Sequence, residues 1–393
     1  MADTDIFISG AGIAGMVLAA LMARQGHRVT VCDPAPPPPD RDADGSDLRS
    51  TAYLAPSVAL LDEAGLWDDL AADSTALKAL RVMESTGWPP RQTATRTFTP
   101  DDLGLDAFGR NVMNWRARRT LSDRLSREPG VDLRLGVGFR DMLARDDVAR
   151  VTLTDGSRID ARLVVGADGR ASPVRAAAGI GVTTLRYGQR ALAFTCTHRD
   201  PHEGISTEVY NSGGAFVTVP LADQSGRPAS SIVWMDTGAR AADLVSAADF
   251  DAQLTDRALH VLGPMERATP IRQWPVVTRT ARALTARRTV LVAEAAHVLP
   301  PIGAQGLNTS LADIRALAAA IDPGDPGAPD GLAAYARARG ADMHARAAAI
   351  DLYNRLCRAG GGPLQALRRT GLKAVHDIAP LRTRIMGLGM GAG

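Results

Sequence analysis

Apolar and polar positions fall into blocks of changing period along this chain, and the changes mark its elements. Ile6-Phe7-Ile8-Ser9 is a short apolar run that stops at Gly10-Ala11-Gly12-Ile13-Ala14-Gly15. A helical stretch follows from Met16 to about Gln25, then Gly26 and a second strand-like run, Arg28–Cys32, ending at Asp33. Such short runs bounded by glycine predict buried strands with a helix crossing between them. Pro34 to Pro39 and the polar stretch Asp40–Asp47 predict a surface loop, after which a helix is expected over Val58–Leu66.

Two further blocks repeat the strand-then-turn pattern. Ala161–Val165 is a buried strand running into Gly166-Ala167-Asp168-Gly169, with a helix expected near Ser172-Pro173, where proline suits the first turn. Just before it, Val151–Ile159 reads as a hairpin about Asp155-Gly156. From Gln189 to about Thr280, alternating segments such as Ala215–Leu221 and Ser231–Met235 predict an antiparallel sheet inserted between nucleotide-binding parts. The third block is a strand over Thr289–Ala293, followed by Glu294, His297 and a proline-glycine loop through Pro301 and Gly306 to Asn308. Helices are expected from about Asn308 to Ile321 and over Gly331–Arg358.

The first block has the order a dinucleotide-binding unit requires: strand, glycine turn, helix, strand, terminal acid. Gly10 would make the tight turn, Gly12 would let the backbone approach a pyrophosphate, and Gly15 would allow close helix–strand packing. The helix N-terminus offers unpaired N–H groups and a favourable dipole to phosphates, and Asp33 would hold a ribose hydroxyl pair. The third block supplies a second helix N-terminus, suited to a planar anionic group. A single GxGxxG gives no support for a separate nicotinamide domain. There is no G-x-S-x-G, Walker motif or H-E-x-x-H. His198 and His202 sit four apart, but Pro201 between them argues against one helical face presenting both to a metal.

Bulk properties narrow the picture further. At 393 residues the chain exceeds the size of one core, so two intertwined domains are expected. A net charge of +2 gives no reason to expect a nucleic-acid partner. Cys32, Cys196 and Cys357 are odd in number and far apart, which suits a reducing compartment. Asp3 and Asp5 precede the first apolar run, unlike a signal peptide, and no apolar run reaches the roughly 18 residues needed to cross a bilayer. A cytoplasmic protein is expected, with contact at the inner face of the membrane left open.

Together the three blocks resemble the class A flavoprotein monooxygenases, specifically the ubiquinone-biosynthesis hydroxylase family, over nearly the whole chain. The resemblance implies FAD, with Gly10, Gly12, Gly15 and Asp33 on its ADP part. Asp47-Leu48-Arg49-Ser50-Thr51-Ala52 resembles the family's Asp-x-Arg-x-x-Ala, which implies that Arg49 approaches the flavin or pyrophosphate. Arg118 matches a polar residue opening the helix that carries Leu121 and Leu125. Gly166–Gly169 with Arg175 resembles the Asp-Gly motif that braces FAD, implicating Asp168. Residues 293–301 resemble Gly-Asp-Ala-Ala-His-x-x-x-Pro, and the loop through Gly306 to Asn308 is then expected to cradle the isoalloxazine ring. Ala293-Glu294 stands where that family has Gly-Asp, so Glu294, at the end of a buried strand, is expected either to reach the ribityl chain with its longer carboxylate or to turn aside and lose that contact.

The implied fold is α/β: a Rossmann-like FAD-binding domain, an inserted antiparallel-sheet substrate domain and a C-terminal helical region. The expected division is FAD-binding segments 1–78, 111–182 and 281–345, substrate segments 79–110 and 183–280, and helices over 346–393. The implied activity is ring hydroxylation with dioxygen through a flavin hydroperoxide, on a polyprenyl phenol or benzoquinone of ubiquinone biosynthesis. Electrons would come from NAD(P)H or a redox partner protein. No acid–base dyad is obligatory; His297 and Pro301 are the candidates nearest the chemistry, and His297 reads as a loop brace or a proton-transfer group. Two rival readings are a hydroxylase of a soluble aromatic metabolite and a non-catalytic FAD-binding accessory to other ubiquinone-biosynthesis proteins. Finally, Arg358, Arg368, Arg369, Lys373, Arg382 and Arg384 alternate with Leu364, Leu367, Leu372, Ile378, Leu381, Ile385 and Met386. That segment fits either a basic amphipathic surface for anionic lipid or a terminal helix packed on the protein.

Overall fold

The computed structural model describes residues 2–358 and 362–391, the side chains of 362–367 and 369 apart. Its first layer grows from the expected strands. Thr4–Ser9 pairs in parallel with Val29–Asp33 on one side and with Arg158–Gly166 on the other. Val131–Leu135 extends the first side and Thr289–Leu291 the second, both in parallel. The chain thus builds outward from Thr4–Ser9 in one direction and later returns to build in the other. The crevice beside Ser9 and Gly166 is the topological switch point, where open α/β sheets bind ligands. Thr4–Ser9, Val29–Asp33 and Thr289–Leu291 are largely buried on both faces, as their apolar runs require, whereas the edge strand Val131–Leu135 alternates apolar residues with Asp132 and Arg134.

The glycine turn follows from backbone contact. Gly10 has φ +109°, and a Cβ there would stand 2.4 Å from the Ala167 carbonyl oxygen. A Cβ on Gly15 would stand 2.0 Å from the Gly10 carbonyl oxygen. Gly12 differs, since a Cβ there would meet nothing within 4 Å. Two glycines therefore serve packing and the middle one opens a face. The helix begins at Ile13 and runs to Arg24, a turn earlier than periodicity suggests, because Gly12 itself is its N-cap.

The second layer is a sheet of nine strands among the described residues. Val182–His198, Arg227–Thr237, Gly214–Gln224 and Ile205–Asn211 run antiparallel in that order. Ala79–Thr86 then joins Ile205–Asn211 in parallel and pairs antiparallel with Arg91–Phe98. The alternation read from Gln189 onward is this sheet, with Arg272–Ala281 on its other flank.

Several boundaries differ from expectation. The helix placed over Val58–Leu66 spans Ala55–Glu63, since Pro56 presets its first turn. The strand placed over Thr289–Ala293 stops at Leu291. Ala293 takes φ +55°, outside the strand region, and opens the short turn Ala293–Ala296 that carries Glu294. The helix expected from Asn308 begins at Gln305, where Ala304 at φ +55° turns the chain into it.

The C-terminal helices Gly362–Asp377 and Ala379–Met390 pack on the large sheet. Arg368 is buried and ion-paired to Glu84, and Arg382 makes a bidentate pair with Asp102 at 2.7 and 2.9 Å. These two cations are therefore spent on packing, which corrects a reading of the whole segment as lipid-facing. The side chains of Leu364, Leu367 and Arg369 lie outside the described residues. Lys373, Ile378, Arg384, Ile385 and Leu388 remain exposed. Among the described residues no helix is long and apolar enough to cross a membrane.

Candidate functional site

A cavity of about 1200 Å³ lies between the two layers. Gly12, Ala14, Ala167 and Gly169 line it from the parallel-sheet side, and Val82, Val217, Val233 and Trp274 from the large sheet. Leu372, Val375 and Met386 of the C-terminal helices line it as well. Pockets of this size with apolar walls and a few placed polar groups hold organic ligands.

The polar lobe is built on chain turns. Gly12, Ile13 and Ala14 present the first turn of a twelve-residue helix that has no side-chain cap and no acid in that turn. Asp33 ends its strand with its carboxylate accepting the N–H of Ala11 at 2.8 Å and of Ala35 at 2.9 Å. Arg118 stands 3.4 Å from that carboxylate and donates to the Ala35 carbonyl. It does not open its helix, which begins at Asn114; the cation sits one turn in, where it reaches across to the Asp33 strand. Asp168 accepts from Ser9 and from the N–H of Val174, while its Oδ1 is buried without a partner. Burial pushes its carboxyl above the ordinary range, despite the hydrogen bonds from Ser172, Val174 and Ser9. Uncapped N–H groups and an open Gly12 fit a pyrophosphate, and Asp168, between the lining residues Ala167 and Gly169, keeps one carboxylate oxygen without a partner.

Arg49 lines the same lobe, held by Asp47 through two bonds at 2.7 and 2.6 Å, with its guanidinium 5.0 Å from the Trp274 ring centroid. Its charge is thus already partnered. Glu294 also lines the cavity, but its side chain is 49% exposed and pairs with Arg170 at 3.4 Å. Glu294 is thus not a buried strand-end carboxylate: the turn at Ala293 sets it beyond the strand, on the cavity wall beside Arg170. Asn308 is corrected too. Its Oδ1 accepts from Leu54 N–H and Ser57, and its Nδ2 donates to the Ala52 and Ala304 carbonyls. With both ends saturated, it fastens the loop to a neighbouring strand rather than facing the cavity. Gly306 and Pro301 do line it, and a Cβ on Gly306 would meet nothing within 4 Å.

His297 acts as a brace in this structure. Its Nε2 lies 2.6 Å from Oδ2 of the fully buried Asp313, which also accepts the Ala293 N–H at 3.0 Å and Arg339 Nε at 2.8 Å. Asp313 and Arg339 escaped the sequence reading, although a signal exists. Asp313 falls in the buried stripe of its helix with Ser310, Ile314 and Leu317, and Arg339 lies four residues from both Tyr335 and Met343. Charges on apolar stripes imply buried partners. The rings of His198 and His202 are 6.0 Å apart, with nitrogens taken by Asp200, Ser230 and Leu221. Among the described residues no group of side chains is arranged to hold a metal.

Comparison with known proteins agrees with this geometry. Residues 3–346 match the FAD binding domain family. The chain is 34% identical to ubiquinone hydroxylase UbiL of Rhodospirillum rubrum, over 98% of this chain and 89% of that one. It is 29% identical to 3-demethoxyubiquinol 3-hydroxylase of Escherichia coli, over 99% and 98%. The solved structure of p-nitrophenol 4-monooxygenase PnpA from Pseudomonas putida DLL-E4 covers 99% of this chain and 98% of its own, at TM-score 0.80 and 18% identity, a likeness of fold.

The Asp313 network yields a pH-dependent prediction. Burial alone would raise this carboxyl, but the charges and hydrogen bonds of His297 and Arg339 outweigh it and hold it below the ordinary aspartate range. A carboxylate depressed in the folded state contributes fully above its unfolded value, and that contribution is lost as pH falls through the folded value. Asp313→Asn should therefore cost about 3 kcal/mol near neutral pH, with the gap from wild type closing as acid approaches the depressed value. Urea unfolding across a pH series measures it, and a gap that stays constant into acid would contradict the assignment.

Proposed function

The chain belongs to the class A FAD-dependent monooxygenases, and from that membership we propose that it hydroxylates a polyprenylated phenol or benzoquinone intermediate of ubiquinone biosynthesis. The observation that carries the reading is one cavity joining a nucleotide-shaped polar lobe to an apolar sheet face. In this assignment segments 1–78, 111–182 and 281–345 hold FAD, segments 79–110 and 183–280 hold substrate, and 346–393 closes the cavity.

Gly12 and the two helix N-termini would hold the pyrophosphate and the flavin ring, with Gly10 and Gly15 setting the turn. Asp33 and Asp168 would accept from hydroxyl groups, and Arg49, Arg118 and Glu294 would border the cofactor. Bound FAD supplies the activation of dioxygen for insertion into an electron-rich ring. The protein's own share is placement and exclusion of water. His297, fixed by Asp313, holds the loop at the cavity wall, and the Trp274 ring stacks under Arg49 to fix that charge. NAD(P)H or a redox protein would supply electrons.

An isoprenoid substrate enters from a bilayer, and exposed Lys373, Ile378, Arg384, Ile385 and Leu388 favour peripheral contact with anionic lipid. Replacing Ile378, Ile385 and Leu388 together by Glu should abolish flotation with phosphatidylglycerol vesicles while FAD content stays intact; unchanged flotation would exclude this face.

The substrate assignment is read from a strain lacking the gene. Its lipid extract should accumulate a polyprenyl phenol or quinone short of one ring hydroxyl, and reintroducing the gene should clear it. An unaltered quinone profile would overturn the assignment.

A further inference from the structure

The apolar wall of the large sheet carries a carboxyl that neither the cofactor lobe nor the fold accounts for. Register places Ala193, Val233, Val217, Glu208 and Val82 in one row across five strands. All five line the cavity, facing Phe98, Leu372 and Met386. Glu208 is only 8% exposed, and its carboxyl sits in a row whose other members are Val and Ala, with Ser206, Ser231 and the Glu84–Arg368 pair also on the cavity wall. Burying an acid there is costly unless it is neutral or partnered.

Its partners are half complete. Oε2 accepts the hydroxyl of Tyr210, two residues on and on the same face of the strand. Oε1 has no hydrogen-bond partner among the described residues. The nearby cation is engaged elsewhere: Arg368 pairs with Glu84, which lies opposite Tyr210 in the register. Tyr210 in turn is packed edge-on against Tyr353 at 5.6 Å, with the Arg368 guanidinium 5.8 Å from its ring. Tyr210 is therefore a rigid strap that fixes one oxygen of Glu208 and leaves the other to the cavity.

We propose that Glu208 Oε1 is the polar anchor for a ring oxygen of the aromatic substrate, and so determines which ring carbon faces the reaction centre. The inference deepens the proposed function and rests on its reading of the cavity as an aromatic-substrate site. Burial raises the Glu208 carboxyl above its ordinary range, outweighing the Tyr210 hydrogen bond. A neutral acid both donates and accepts, and so suits a phenol hydroxyl or a quinone carbonyl alike. Ser206 and Arg368 on the same wall already have partners in the fold, so one such group sets the orientation of a ring bearing a long apolar tail. The energetic logic is that of a site built around a substrate oxygen: an analogue lacking that oxygen leaves the buried carboxyl unpaired.

The test uses the full-length, FAD-loaded protein and two probes, 2-prenylphenol and prenylbenzene, which differ by one ring hydroxyl. Affinities are read from perturbation of the flavin absorbance. Wild type should prefer the phenol. Glu208→Met should lower the ratio of phenol to hydrocarbon affinity by about 10-fold or more, mainly by weakening the phenol. Glu208→Gln, which still donates and accepts, should keep most of the preference, and FAD content verifies that both variants fold. A merely structural carboxyl would shift both probes alike; an unchanged ratio in Glu208→Met overturns the inference. Equal wild-type affinity for the two probes overturns it also, while leaving the cavity as an aromatic site. If wild type binds neither probe, the reading of the cavity fails and the inference with it.

Discussion

The Asp313 carboxylate, buried with no exposure to solvent, holds three donors: two from the turn at 293–297 and one from a distant helix. Removing such a charge from water costs several kcal/mol, and only well-placed charged partners offset it. Ala293 opens the turn that follows a parallel strand, His297 closes that turn beside the cavity, and Arg339 lies on the long helix Pro329–Arg358. Arg339 also bonds Asp342, which takes Arg346, which reaches Gln305, whose amide meets the Gly389 carbonyl. A single connected path therefore runs from the parallel sheet to the last helix. The loop lining the cavity cannot shift without taking two of its three donors from a buried carboxylate.

That constraint explains how one cavity can have two characters. On the side of the parallel sheet the walls are backbone: glycines without side chains and helix starts with unpaired N–H groups. On the side of the large sheet they are Val, Ala and Leu side chains, set by the two-residue period of strands. The C-terminal helices close the apolar part and are tied by the buried Arg368–Glu84 pair. Glu208 is the acid of the apolar half whose second oxygen has no partner among the described residues, and Trp274 stacked by Arg49 marks the border between the halves. A ring held between the halves would be shielded from water on most of its surface, which is what hydroxylation of an insoluble substrate demands.

The legible part of this protein was the part dictated by backbone sterics. Gly10 and Gly15 announce themselves because no other residue fits where their Cβ atoms would collide with carbonyl oxygens. The strands ending at Ser9, Asp33 and Gly166 are legible because burial on both faces leaves unbroken apolar runs. What stayed hidden depends on contacts between distant segments. Asn308 looked like a ligand group in a glycine loop, yet its partners Ala52, Leu54 and Ser57 lie some 250 residues earlier. Glu294 was read as a strand-end acid because nothing local reveals that Ala293 adopts φ +55°. Arg368 and Arg382 could be read as surface or packed cations alike, since Glu84 and Asp102 lie some 280 residues earlier. Glu208 gave no local signal at all, being one acid in a strand whose facing residues are known only from register.

If the two lobes work as one hydroxylating site, the oxygen of the new ring hydroxyl comes from dioxygen. The most direct measurement supplies purified protein with FAD, a nicotinamide reductant, the phenolic lipid that accumulates without the gene, and dioxygen enriched in the heavy isotope. Mass spectrometry of the product then locates the label. The account predicts one heavy oxygen in a new ring hydroxyl. A new hydroxyl carrying oxygen from water, or reductant consumed with no hydroxylated lipid, would contradict it.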